Sequence, residues 1–219
     1  MRTILIAILL LAVPGLGQAQ TYFNSGGVAK TWEWSFAGIY QYKENASGTN
    51  GSGIEIDPAL GLGMNFAYNI NDHFSVGMDF EWLQPDYKAT VVSDTDETQV
   101  IDHYFSQFNG RLKGAYYFMN GPVTPYVEAG MGWTYIDSNV VDGPPSTGCW
   151  WTWYGYVCTN YYNTHTATEF TYGGALGVRY EMKNGTLLKL SYNTWLIDSG
   201  GDMAEPSLAA LRLEFGWRF

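Results

Sequence analysis

Residues 211–219 read Leu-Arg-Leu-Glu-Phe-Gly-Trp-Arg-Phe, a strict alternation that ends on an aromatic residue. On a strand, Leu211, Leu213, Phe215, Trp217 and Phe219 share one face, and Arg212, Glu214, Gly216 and Arg218 share the other. A soluble strand with one apolar face normally buries it in a core. Here the opposite face carries three charges, so the question that decides the fold is which face meets water.

The same period of two recurs upstream. Trp32, Trp34, Phe36, Tyr40 and Tyr42 oppose Glu33, Ser35, Ala37 and Gln41. A longer run sets Ile54, Ile56, Leu60, Leu62, Met64, Phe66 and Tyr68 against Glu55, Asp57, Gly61, Gly63 and Asn65. Phe74 to Trp82 alternates with Ser75, Gly77, Asp79 and Glu81, and Val127 to Tyr135 with Glu128, Gly130, Gly132 and Thr134. A fourth run, Tyr104 to Phe118, opposes Gln107, Asn109, Arg111 and Lys113 but leaves Phe105 and Tyr117 on the polar side. The sixth pairs Phe170, Tyr172, Leu176, Val178 and Tyr180 against Glu169, Thr171, Gly173, Gly177, Arg179 and Glu181. Leu188, Leu190 and Tyr192 oppose Lys189, Ser191 and Asn193 in the seventh, and the carboxy-terminal run is the eighth. An even number of dyad-alternating runs of about ten residues is the signature of a transmembrane barrel.

The connectors alternate too. Asn69 to Asp72, Met119 to Pro122 and Met182 to Gly185 are tight and rich in turn residues, whereas 43–53, 84–99, 137–163 and 198–206 are long. In transmembrane barrels short turns face the periplasm and long loops the exterior, which places both termini in the periplasm. The expected architecture is all-β: an eight-stranded antiparallel up-and-down barrel spanning residues 20–219. A soluble barrel of the lipocalin type shows the same periodicity with its apolar face inward. Two features favour the membrane: a presumed outer face rich in Trp, Tyr, Phe and Leu, and small opposing residues that suit a narrow, crowded interior.

A resemblance supports this. Residues 121–135, GPVTPYVEAGMGWTY, resemble the Pro-Tyr-Val-x-Ala-Gly-x-Gly stretch of small outer-membrane barrels, the OmpA-like, OmpW-like and opacity-protein group often called the porin family. Residues 71–82, NDHFSVGMDFEW, are similar to their turn followed by an outward-amphipathic strand. The resemblance implies the outer membrane of a Gram-negative bacterium, with outer-membrane lipids and lipopolysaccharide as surroundings. It also implies that Phe215, Trp217 and Phe219 resemble the signal read by the barrel-assembly machinery. No stretch like the peptidoglycan-binding domain of OmpA follows the eighth run, so anchoring to the cell wall is not expected.

Composition agrees. Of the residues, 46% are hydrophobic and 17% aromatic, with 26 glycines. Arg2, the apolar run from Ile4 to Val13 and Gly17-Gln18-Ala19 read as a cleaved secretory signal over residues 1–19. The run is too short for a spanning helix, which needs about 20 apolar residues. The formal net charge of −10 argues against nucleic acid, which calls for a basic stripe. No cofactor motif is found.

If the apolar faces meet lipid, the interior receives Glu33, Glu55, Asp57, Asp79, Glu81, Glu128, Glu169, Glu181 and Glu214, with Arg111, Lys113, Arg179, Lys189, Arg212 and Arg218. Such charges must pair, because an unpaired buried ion costs several kcal/mol. Arg212 and Arg218 on the eighth run, or Lys189 and Asn193 on the seventh, are candidate partners for Glu33. Eight strands leave a lumen just wide enough for side chains. A scaffold plugged by ion pairs is therefore expected, and a narrow conductance for ions or small solutes is the alternative.

Cys149 and Cys158 form an expected disulfide in the longest loop. Between them Trp150, Trp151, Trp153, Tyr154 and Tyr156 are candidates for an extracellular ligand or partner. The competing reading has them pack on one another or rest at the membrane surface. His103 with Asp102 and Ser106 is the only grouping close enough to suggest a triad, and on a strand His103 faces away from both. His73 follows a tight turn, and no serine accompanies His165 at the spacing used by barrel lipid A deacylases. A lipid-modifying enzyme is thus the third-ranked reading, with no catalytic residue assigned.

Overall fold

Alternating side chains allow a sheet to carry one greasy and one charged surface, and this chain closes such a sheet on itself. The computed structural model describes residues 28–47, 53–92, 98–141, 143–144, 146–153, 155–161, 163–198 and 207–219. The signal segment, 1–19, lies outside the described residues. In chain order the strands are β1 (Thr31–Gln41), β2 (Glu44–Ser47), β3 (Gly53–Ile56), β4 (Ala59–Asn69), β5 (Phe74–Leu83), β6 (Asp86–Val92) and β7 (Thr98–Tyr104). They continue with β8 (Ser106–Tyr117), β9 (Val123–Val141), β10 (Ser146–Thr152), β11 (Gly155–Tyr161), β12 (Thr164–Glu181), β13 (Thr186–Asp198) and β14 (Ser207–Arg218).

Eight of these form a closed antiparallel barrel in the order β1-β14-β13-β12-β9-β8-β5-β4. A walk along paired residues from Gln41 through Ala210, Asn193, Ala175, Glu128, Ala115, Ser75 and Asn69 returns to β1 at Thr31, a stagger of ten residues. That combination of strand number and stagger gives a tilted wall around an interior that side chains can fill. Phe219 completes the closure: its N–H donates to Trp32 O at 2.9 Å and its carbonyl accepts from Trp32 N at 2.8 Å.

The tight turns sit at one end of the barrel. Asn71 Oδ1 accepts from the N–H groups of His73 and Phe74 at 2.9 and 2.8 Å. Asn184 Oδ1 accepts from Thr186 N at 3.1 Å, and Gly185 takes a φ of 82° that favours glycine.

The other end departs from expectation. The long connectors fold rather than loop: β2, β3, β6 and β7 form a four-stranded sheet in the order β2-β3-β6-β7, and β10 pairs with β11. The run read as one strand from Ile54 to Tyr68 is two, β3 and β4, broken at Asp57-Pro58. Pro58 has no N–H to donate and restricts Asp57 before it, so the ladder cannot run through. Ile56 consequently leaves the lipid face and is buried with Tyr87, Phe105, Ile197 and Leu208 at the mouth. The fourth run also breaks, at Phe105 between β7 and β8, where the Phe105 N–H donates to Pro85 O at 3.1 Å.

On the outer wall the apolar and aromatic faces are exposed, from Leu60 and Leu62 on β4 to Leu213 and Trp217 on β14. At the seam between first and last strands, Trp34 lies opposite Trp217 with ring centroids 6.0 Å apart and stacks on Phe66 at 6.3 Å. No helix among the described residues is long and apolar enough to cross a membrane, and the strands carry that role instead.

Candidate functional site: a filled lumen and an aromatic hairpin

The lumen is packed with ionised side chains in two linked layers. In the central layer Arg212 reaches from β14 across the interior to β5. Its Nη1 donates to Asp79 Oδ2 at 2.8 Å and to Glu81 Oε1, its Nη2 donates to Asp79 Oδ1, and its Nε lies 2.8 Å from Glu214 Oε1. Arg111 donates to Glu81 Oε2 and lays its guanidinium over the Trp195 ring, 4.2 Å from the centroid. Lys113 Nζ is 2.9 Å from Glu128 Oε1 and 3.6 Å from Asp79 Oδ1. Ser35 Oγ donates to Glu214 at 2.7 Å.

Towards the tight turns, Glu33 accepts from Lys189 Nζ at 2.9 Å and from Asn69 Nδ2 at 2.8 Å, and lies 2.7 Å from Arg179 Nη2. Arg179 also donates to Glu181 at 2.6 Å, and Arg218 reaches the other oxygen of Glu181. Asp79, Glu33 and Arg212 are 0%, 1% and 2% exposed, so each of these charges depends on its partners rather than on water.

Six acids, Glu33, Asp79, Glu81, Glu128, Glu181 and Glu214, are thus matched one for one by Arg111, Lys113, Arg179, Lys189, Arg212 and Arg218. Uncharged side chains pack beside the lower layer and above the central one. Tyr117, Tyr126 and Ala115 fill the tight-turn end; Ala37, Ile39, Leu83 and Ala210 form a layer near the mouth. Between the ions and that layer, Gln107 and Thr134 both donate to Asn109 Oδ1, at 3.0 and 2.7 Å.

Several sequence expectations need correction. Glu55 and Asp57 are outside the lumen, Glu55 in the four-stranded sheet and Asp57 in the break that follows it, because Pro58 ends the run. Glu55 is half-exposed and accepts from Lys43. That hydrogen bond holds the Glu55 carboxyl below its usual range and the Lys43 ammonium above its own. Asp57 donates its N–H to Asp86 O at 2.9 Å. Glu169 shares the inward face of β12 but sits half-buried at the rim opposite Thr134, outside the network. Of the partners considered for Glu33, Lys189 meets it; Arg212 and Arg218 do not. Trp195 was not legible as an interior residue because the alternating polar pattern stops at Asn193. Continuing the period along β13 would have placed both Trp195 and Ile197 inside.

The histidine grouping does not assemble. Asp102 faces Lys88, 3.9 Å away, and Ser106 Oγ accepts from Gln84 at 3.2 Å. His73 Nδ1 lies 2.8 Å from Tyr117 O in a turn. Among the described residues no His, Cys, Asp and Glu cluster is arranged to hold a metal ion.

The second feature is the β10–β11 hairpin. It rises from β9 and β12, which continue past the rest of the wall to the pair Val141–Thr164. At its root the register shifts between Thr164 and Thr166, and Asn139 takes a left-handed φ of 54°. Cys149 and Cys158 are directly opposed, Cα atoms 4.1 Å apart, and are joined as a disulfide. One step nearer the tip on the same face, Trp151 lies opposite Tyr156 with ring centroids 5.2 Å apart. Trp151, Trp153 and Tyr156 remain 76%, 94% and 58% exposed. The Trp150 side chain and Tyr154 lie outside the described residues.

Because the disulfide closes only the hairpin, the double replacement Cys149→Ser/Cys158→Ser is expected to leave barrel unfolding unchanged. It should withdraw about 2–3 kcal/mol of loop-closure stabilisation from the hairpin alone. Limited proteolysis should then cut within 146–161 faster, while gel mobility of the unboiled barrel stays the same.

Residues 3–219 match the family model described as outer membrane protein beta-barrel domain. Among solved structures the chain is similar to the outer membrane protein OprG from Pseudomonas aeruginosa, with 16% identity over 89% of this chain and 98% of that one, at a TM-score of 0.51. It is also similar to the outer membrane protein AlkL, solved by solid-state NMR in DMPC bilayers, with 16% identity over 90% and 93% of the chains and a TM-score of 0.50. At these identities the likeness is one of fold. No curated protein matches the chain.

Proposed function

We propose, from the premise that this chain belongs to the outer membrane protein beta-barrel family, that it is a non-conducting scaffold displaying folded hairpins at the surface of a Gram-negative cell. The observation that carries this is the lumen: matched ion pairs fill it from its centre to the tight-turn end, and an apolar layer closes it near the mouth. An aqueous path needs a continuous row of sites that a solute or water can enter. Ile39 and Leu83 interrupt such a row near the mouth. With tight turns in the periplasm, the four-stranded sheet and the β10–β11 hairpin face outward. The aromatic outer wall suits lipid, with lipopolysaccharide around the outward end, and Phe215, Trp217 and Phe219 are the segment offered to the barrel-assembly machinery.

A narrow channel is the second reading, and one observation favours it. Gln107 Oε1, Thr171 Oγ1 and Trp195 Nε1 are buried without a protein partner, and such atoms call for internal water. Planar-bilayer recordings with the purified full chain separate the two. The scaffold predicts a silent bilayer at all voltages; stable, voltage-responsive steps would establish the channel instead. Mass spectrometry of lipid A from cells with and without the protein addresses catalysis, and the scaffold predicts identical spectra.

A further inference from the structure

We propose that the tip of the β10–β11 hairpin, Trp151, Trp153 and Tyr156, is a binding platform for neutral glycans, on which sugar rings stack face to face with the aromatic rings. The inference rests on the reading of the barrel as a displaying scaffold and names the ligand class of its most exposed element.

Charge is the first argument. Residues 143–168 contain no Asp, Glu, Lys or Arg, although the whole chain carries a net charge of −10. At the same end of the barrel the four-stranded sheet and the residues flanking its strands carry Glu44, Glu55, Asp57, Asp86 and Asp102 against Lys43 and Lys88, and both lysines already face acids, Glu55 and Asp102. A polyanion approaching the hairpin meets no cation on it and a negative neighbour beside it. A neutral ligand meets neither penalty.

Composition is the second. Between 143 and 168 the large apolar side chains are Trp and Tyr, with Val157 the only branched aliphatic one; Leu, Ile, Phe and Met are absent. Around them stand Ser, Thr, Asn and Gly. A segment built to wedge into lipid combines Trp with Leu or Phe. Trp and Tyr set among Ser, Gly and Asn are instead the makings of a recognition surface, because the rings supply contact area at low entropy cost and the small polar groups adapt their hydrogen bonds.

Geometry is the third. The tilted Trp151–Tyr156 pair stands across two strands beside a disulfide, so both rings are held before any ligand arrives. Gly155, at a φ of 134°, and the Thr152 Oγ1 hydrogen bond to Gly155 O at 2.8 Å fix the turn that carries Trp153. Pre-organisation of this kind lowers the ordering cost of binding. Pyranose rings have an apolar face of C–H groups that fits an aromatic plane, ringed by hydroxyls that can pair with the threonines of the hairpin.

The test uses the full chain in nanodiscs, which leave both ends open to solution, so the result does not depend on membrane orientation or on conductance. Immobilised protein is exposed separately to cellohexaose, chitohexaose, maltohexaose, a heparin hexasaccharide and phosphatidylcholine vesicles. At least one neutral hexamer is expected to be retained and the heparin fragment is not. Trp151→Ala/Trp153→Ala should weaken that retention at least tenfold, and Cys149→Ser/Cys158→Ser severalfold, with unboiled gel mobility showing that each variant barrel is folded. Retention of no neutral hexamer, equal retention by the tryptophan variant, or preference for heparin overturns the proposal. Vesicle capture lost in the tryptophan variant, without glycan retention, overturns it in favour of a lipid contact. A silent planar bilayer alongside any of these negatives leaves the scaffold reading standing.

Discussion

Arg212→Ala is expected to destabilise the barrel by about 3–5 kcal/mol, or to stop it closing, because it leaves buried carboxylates without their principal cation. Arg212 reaches from β14 to Asp79 and Glu81 on β5 and also holds Glu214 on its own strand, and Asp79 has no exposure through which water could take over. Arg111 and Lys113 remain nearby, yet Arg111 is already engaged by Glu81 and Lys113 by Glu128. Urea unfolding from lipid vesicles, followed by tryptophan fluorescence and by gel mobility, measures the loss. The control is Lys43→Ala, which removes a solvent-screened pair with Glu55 and should leave the unfolding midpoint close to that of the parent. Equal losses in the two variants would show that the lumen is wetter than its packing indicates.

Gly132→Val is expected to impair closure through backbone contact alone. A Cβ at this position would stand 2.0 Å from Gly110 O and 2.7 Å from Arg111 Cα, both on β8, so relief requires opening the β8–β9 ladder. Overpacking a rigid site ordinarily costs about 1–3 kcal/mol, and here the neighbour is main chain with no rotamer to yield, so the upper end or beyond is expected. Gly114→Ala is the comparison, since its Cβ would meet the Phe74 ring at 3.6 Å and Ser75 O at 4.0 Å, both ordinary contacts. The yield of the heat-modifiable folded band on refolding should fall sharply for Gly132→Val and stay near the parent for Gly114→Ala.

The wall of the barrel was legible because period-two alternation is a local property: each residue from Trp32 to Gln41, or from Leu211 to Phe219, declares its face without knowing its neighbour strand. Pairing across the lumen was not, since the contact of Arg212 with Asp79 joins β14 to β5 and depends on stagger and side-chain reach. Glu55 and Asp57 went astray for a related reason. Their alternation is genuine, but the Pro58 break takes Glu55 onto a second sheet whose inward face packs over the mouth and leaves Asp57 in the connection. The disulfide between Cys149 and Cys158 could be read from cysteine number alone, whereas the Trp151–Tyr156 pairing required the hairpin register.

The one-for-one matching of acids and bases inside the lumen has an electrical consequence for the whole molecule. With the interior neutral, the formal charge of −10 belongs entirely to residues outside that network. Among the described residues the tight-turn end contributes Lys30, Asp72 and Lys183, which nearly cancel, whereas the mouth carries Glu44, Glu55, Asp57, Asp86, Asp102, Asp137, Glu169 and Asp198 against Lys43 and Lys88. The described barrel is therefore polarised along its axis, with its negative pole at the rim that bears the four-stranded sheet. Its cloud of counter-ions should reach about 8 Å from that rim at physiological ionic strength and about 30 Å in dilute medium.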